Sequence, residues 1–145
     1  MSLSNIFNIS GSAMSAQSIR LNTTASNMAN AQSISSSIDE TYRARKPVFA
    51  LIEPTQEQMQ AHDLGLLPGQ GVKVKGIVES DAPLQPEYLP SHPMADDNGY
   101  IYYPNVNVVE EMADMIAASR SFQINADVMD SAKQMMQRVL TLGKA

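Results

Sequence analysis

The sequence predicts an α+β protein, in which long N- and C-terminal helices pack as a coiled-coil-like pair around a small β-containing insert. Two observations carry the helices and one carries the insert. An apolar heptad runs through the C-terminal end, and a weaker one through residues 1 to 31. Between them, Gly and Pro punctuation surrounds short stretches with strand-like alternation. The expected organisation is an N-terminal helix at 1–31, a linker and insert at 32–104, and a long C-terminal helix at 105–145.

In the first segment Phe7, Met14, Leu21, Ala25 and Met28 fall on one heptad-like track, with Ile9, Ala13 and Ala16 beside it. The remainder is largely Ser, Asn, Thr and Ala, with Gly11 inside, and most of these are mediocre helix formers. Small side chains let another helix approach closely, but the segment could hardly hold a helix alone. It is expected to be helical only when packed.

Gln32 to Ser37 ends this pattern with a Ser-rich break that reads as a linker. Val48 to Ile52 is a short apolar run behind Pro47, and Gln56 to Ala61 could make a helical turn. Val72-Lys73-Val74-Lys75 alternates as a half-exposed strand does, and Gly76 then suggests a bulge or a change of face. Pro83, Pro86, Pro90 and Pro93 make the next stretch extended rather than helical. Asp97-Asn98-Gly99 is a turn signal ahead of Tyr100 to Tyr103.

The C-terminal segment, Asn105 to Leu142, has the clearest pattern. Alternating steps of four and three pass through Val108, Met112, Met115, Ser119, Phe122, Ala126, Met129, Lys133, Met136 and Leu140. A neighbouring track through Met115, Ala118, Phe122, Asn125, Met129, Ala132, Met136 and Val139 broadens the apolar face. Asn107 with Glu110 resembles a capping box, and Gly143 is placed to terminate the helix. At 1.5 Å per residue it would be roughly 55 Å long, more than a domain of this size covers. Such a helix needs a partner.

Composition excludes several classes. With 145 residues, 6 % aromatic and no Trp, the chain offers one modest domain without a large compact core. A net charge of −5 argues against nucleic acid as the main partner and gives no reason to expect membrane binding. Zero cysteines exclude disulfides and thiolate metal sites. No run approaches a membrane span, and no cleaved secretory signal is expected at the N-terminus.

No residue set supports catalysis. His62 and His92 lack the close His or Cys partner that a metal site needs, so loop positions are the better reading. Aligning Gly99 with the sixth position of a calcium loop puts Met94 first and Asn105 twelfth, where acids are required. Gly69-Gln70-Gly71 lacks the third glycine and the following helix of a dinucleotide fingerprint. Arg43, Arg45 and Lys46 lack the aromatics of a nucleic-acid surface and read as an exposed face. Glu110 and Glu111 are accounted for by the helix start. The ten methionines suit either ordinary core filling or an adaptable surface facing non-identical neighbours. No cofactor, metal or small-molecule substrate is expected.

Ser12-Ala13-Met14-Ser15-Ala16-Gln17, Arg20-Leu21-Asn22 and Ala25-Ser26-Asn27-Met28-Ala29-Asn30 together resemble the N-terminal signature of bacterial flagellar rod and hook proteins. Asn105-Val106-Asn107-Val108-Val109-Glu110-Glu111-Met112, Met115 through Phe122, and Thr141-Leu142-Gly143 resemble the matching C-terminal signature. The insert is similar to that of the proximal-rod members, through Glu40 to Arg45, Gly76 to Ser80, and His92 to Pro104. Many relatives follow the Ala-Asn pair with a Thr-Pro-Gly-Tyr turn, where this chain has Ala31-Gln32-Ser33-Ile34.

The resemblance implies a non-enzymatic axial subunit, exported by the flagellar type III apparatus without a cleaved signal and built into the periplasmic rod. Its partners would be other rod proteins and copies of itself, with no nucleic acid and no membrane insertion. Met14, Leu21, Ala25, Met28, Val108, Met112, Met115, Phe122, Met129, Met136 and Leu140 would form the helix faces at subunit interfaces. A tube is a non-closing assembly, so each subunit must offer two different surfaces. The alternative is a coiled-coil adaptor or secretion-chaperone-like module using the same C-terminal face.

Overall fold

A computed structural model describes residues 3–53 and 70–143. Helix α1 spans Leu3–Asn30 and helix α2 spans Val108–Leu142, with strands β1 (Arg45–Leu51), β2 (Val72–Glu79), β3 (Gln85–Tyr88) and β4 (Tyr100–Tyr103) between them. This is the expected α+β arrangement of two long helices around two small sheets. The helical turn expected at Gln56 to Ala61, and His62, lie outside the described residues.

β1 pairs with β2, and β3 with β4. In the first ribbon the Ser80 N–H donates to Ala44 O and the Ile52 N–H donates to Gly71 O, which makes the strands antiparallel. Those two bonds leave one residue of β2 unmatched, the count of a β-bulge, in the strand that Gly76 interrupts. Sequence pattern shows β3 only as extended chain. It is a fully exposed strand, paired antiparallel from Gln85 opposite Tyr103 to Tyr88 opposite Tyr100. Pro86 is tolerated there because an edge strand has main-chain groups that need no ladder partner.

The chain divides into two compact units. The first comprises Met1–Ile19, Phe49–Lys75 and Ala118–Ala145. Its buried helix residues are small: Ser10, Ala16, Ala118 and Ala132. A Cβ added at Gly11 would lie 3.8 Å from Met129 Cε, an ordinary contact with the tip of a side chain that reaches across from α2. Ser12 fixes the ribbon to α1. Its hydroxyl donates to Ile9 O at 2.8 Å and accepts the Val72 N–H at 3.1 Å. Gly71 is required beside it, because a Cβ there would overlap Ser12 Oγ.

The second unit comprises Arg20–Val48 and Gly76–Ala117. Its core holds Ala44, Ile101, Pro104 and Val106, with Ile101 fully buried. The Ser-rich stretch expected as a linker is built into this unit. Buried Ser35 exchanges both main-chain hydrogen bonds with Tyr102. The Asp97-Asn98-Gly99 turn forms as expected. Gly99 takes φ 80°, and Asp96 Oδ1 accepts the N–H groups of Asn98 and Tyr100. These bonds, led by that from Tyr100, hold the Asp96 carboxyl below its ordinary value, and burial with Asp96 nearby raises the Tyr102 hydroxyl.

The helix ends refine the expected boundaries. Asn105 precedes α2 and serves the ribbon, its Oδ1 accepting the Ala44 N–H while Nδ2 donates to Ser80 O and Ala82 O. Asn107 is the N-cap, with Oδ1 taking the Val109 N–H at 3.1 Å. Glu110 does not complete the capping box, since its carboxylate goes to Lys46. Gly143 follows the last turn and bonds back to Val139 without a left-handed backbone.

Candidate assembly interface

The face that each helix buries differs from the track of its largest residues. On α1 the buried side chains in the second unit are Thr23, Thr24 and Asn27, all polar. Met14, Leu21 and Met28 are half-buried and Ala25 is exposed. On α2 the buried positions are Glu111, Ala118 and Ala132, with Met115, Phe122 and Met129 half-buried beside them. This face follows the second of the two α2 tracks only as far as Ala132, since Met136 and Val139 on that track are exposed, as are Val108, Met112 and Leu140.

What remains outside is strongly apolar. In the second unit Val108, Val109, Met112 and Ile116 are exposed, Ile116 at 65 %. In the first unit Ile124, Val128, Met135, Met136, Val139, Leu140 and Leu142 are exposed, Leu142 at 78 %. There a groove of about 300 Å³ opens between Ile6 of α1 and the α2 residues Ile124, Val128, Ala132 and Met135, with Asp127 and Ser131 at its polar rim. The ribbon adds Phe49, Leu51 and Ile77 to the exposed apolar surface. Ile116, Ile124 and Val128 lie off the α2 heptad, and the ribbon residues lie outside both helices. Their signal on α2 was the recurrence of β-branched residues at multiples of four.

The start of α2 is fixed by charge and hydrogen bonds. Arg20 meets Asp114 at 2.6 Å, Lys46 meets Glu110 at 2.5 Å, and Arg45 meets Glu79 at 3.0 Å. The bond to Glu110 raises the Lys46 ammonium above its ordinary value against a smaller opposing effect of burial. Arg43 donates to Ser80 O. The basic cluster Arg43, Arg45 and Lys46 thus works within its own unit. Asn27 sits between these pairs, bonded to Arg45, Tyr42 and Glu111.

Among the described residues no group of three or more His, Asp or Glu side chains could hold a metal. His92 accepts the Met94 N–H through Nδ1, as a loop residue. No helix among the described residues is long and apolar enough to cross a membrane.

Two long terminal helices flank a small β-containing insert, and α2 carries a row of exposed apolar side chains. Residues 7–32 match the family described as flagella basal body rod protein, and residues 97–142 match the C-terminal family of flagellar basal body rod FlgEFG proteins. The chain is 47 % identical to flagellar basal-body rod protein FlgC of Salmonella typhimurium, over 99 % of this chain and 100 % of that protein. It is 46 % identical to FlgC of Escherichia coli O157:H7 at the same coverage, and 34 % identical to FlgC of Borreliella burgdorferi over 98 % of both chains. The chain belongs to the FlgC family of flagellar basal-body rod proteins, which are structural components rather than enzymes.

Proposed function

We propose that this chain is a structural subunit of the proximal rod, assembling by terminal-helix packing into the shaft that transmits torque from motor to hook. The observation that carries this reading is the uncovered apolar surface of α2, which water solvates poorly and which neighbouring subunits would remove from water. Residues 1–31 and 105–145 would form the axial core, with 32–104 as linker and outward insert. Exposed Val108, Met112, Met136 and Leu140 are available to neighbours directly. Half-buried Met14, Leu21, Met28, Met115, Phe122 and Met129 would be shared between the partner helix and a neighbour, and exposed Ala25 would allow close approach. Partners are other rod proteins, copies of this chain and the flagellar type III export apparatus, and the rod lies in the periplasmic space after export without a cleaved signal.

An immunoblot of purified hook–basal bodies, with an export-blocked strain as control, tests the reading. The chain should be found in the rod fraction and be lost when export is blocked. Its absence there, with soluble protein in the cytoplasm, would leave the coiled-coil adaptor as the surviving account.

A further inference from the structure

Asn27 is fully buried on a helix whose other buried residues in the same unit, Thr23 and Thr24, are also polar. The large apolar residues of these last turns, Leu21 and Met28, are only half-buried, so hydrogen bonds contribute much of what docks them. The Asn27 side chain uses its whole capacity. Nδ2 donates to Arg45 O at 2.8 Å and to Glu111 Oε1 at 3.0 Å. Oδ1 accepts from Arg45 N and from Tyr42 OH, each at 2.9 Å. Two donors and two acceptor sites are all that a carboxamide has. The amide orientation is fixed by chemistry, because the Arg45 N–H can only donate and the Arg45 carbonyl can only accept.

We propose that Asn27 is a three-way latch. Its amide stands in for a neighbouring strand at Arg45, and through Glu111 it makes docking of the end of α1 conditional on the first turn of α2. Both main-chain groups of Arg45 are taken by one side chain, as a paired strand would take them. Glu111, only 3 % exposed, is the neighbouring acceptor and lies 84 residues away in sequence. Arg45 in turn places its guanidinium 5.5 Å from the centre of the Tyr42 ring, and Ser26 Oγ lies 3.3 Å from Tyr42 OH, so the chain leaving α1 closes over the same point. A helix of poor intrinsic propensity thus gains its last turns when β1 and α2 are already in place. The inference concerns the isolated chain and does not depend on the assembly reading.

Hydrogen exchange on the purified full chain tests it, with wild type, Asn27→Asp, Glu111→Ala, Glu111→Gln and the Asn27→Asp/Glu111→Gln pair. The Asn27→Asp change keeps the acceptor for Arg45 N–H but loses both donors, and sets a carboxylate against Glu111 and the Arg45 carbonyl. Amides of residues 20–30 and of Arg45 should then exchange roughly ten- to hundredfold faster, while β3 and β4 stay protected. Glu111→Ala should speed the same amides although it lies on the other helix, and it remains informative if Asn27→Asp does not fold. In the double variant the new carboxamide at position 111 can donate to the new carboxylate at position 27, so part of the lost protection should return. The latch is wrong if Glu111→Ala leaves residues 20–30 unchanged, if all elements lose protection equally, or if the double variant recovers nothing.

Discussion

Arg20, the one charged side chain among residues 1 to 38, lies 2.6 Å from Asp114 on the first turns of α2. Both side chains are about 30 % exposed, so the pair is partly screened and contributes as a charge-assisted hydrogen bond rather than a buried ion pair. With no other charge nearby in sequence, this contact helps set which residue of α1 faces which residue of α2. Arg20→Ala and Asp114→Ala should each lower stability by about 1 kcal/mol in urea unfolding. Their double-mutant cycle should show coupling of about 0.5–1 kcal/mol that shrinks in 1 M salt. Additive effects would mean that the pair is incidental.

Gly71 and Gly76 lie on one strand or its approach and should respond oppositely to the same substitution. A Cβ at Gly71 would overlap Ser12 Oγ, and would meet Ser12 Cβ at 3.0 Å and Ile52 Cδ1 at 3.1 Å. The Ser12 hydroxyl cannot turn aside freely, because it bridges Ile9 O and Val72 N. Gly71→Ala is therefore expected to cost about 1–3 kcal/mol. Gly76 has nothing within 4 Å of an added Cβ and no positive φ, so Gly76→Ala should stay within about 0.5 kcal/mol of wild type. Equal effects in thermal unfolding would contradict the close approach at Ser12.

Much of this architecture was legible in local pattern. The heptad in α2, the alternation of Val72 to Lys75 and the Asp97-Asn98-Gly99 turn all report geometry set within a few residues. The buried face was less legible, because a rule that places the largest apolar residues inside favours Met and Phe. In the first unit the buried helix positions, Ser10, Ala16, Ala118 and Ala132, instead carry small side chains. Ile116, Ile124 and Val128 are left outside. The Asn27 latch had no local signal, since its partners are 15, 18 and 84 residues distant. β3 was hidden by Pro86, whose lack of an N–H matters little at an exposed edge.

The Lys46–Glu110 contact predicts an alkaline dependence. Folding raises the Lys46 ammonium above its ordinary 10.5, with the bond to Glu110 as the largest cause. A cation favoured by folding contributes fully below its unfolded value, and that contribution disappears as pH rises through the folded one. The stability difference between wild type and Lys46→Met should be flat near neutrality and shrink above pH 10.5. It should be small, about 0.5 kcal/mol or less, because both side chains are half exposed. A difference that instead vanished around pH 6 would assign it to another group.

Assembly should separate from folding at the exposed α2 residues. Ile116 and Ile124 are 65 % and 57 % exposed, so a carboxylate at either position remains solvated in the free chain. Ile116→Asp and Ile124→Asp should leave monomer stability within about 0.5 kcal/mol of wild type. In a rod, the same carboxylate would be buried against a neighbour without a partner, at a cost of several kcal/mol. Half-buried Phe122→Asp and Met129→Asp should block assembly as well, with an additional loss of helix packing that leaves the β3–β4 hairpin folded. Motility assays and the rod fraction of purified basal bodies read the first effect, and urea unfolding of the soluble chain reads the second. Normal motility with Ile116→Asp and Ile124→Asp would show that this face stays in water in the rod and that the uncovered surface of α2 has been misread.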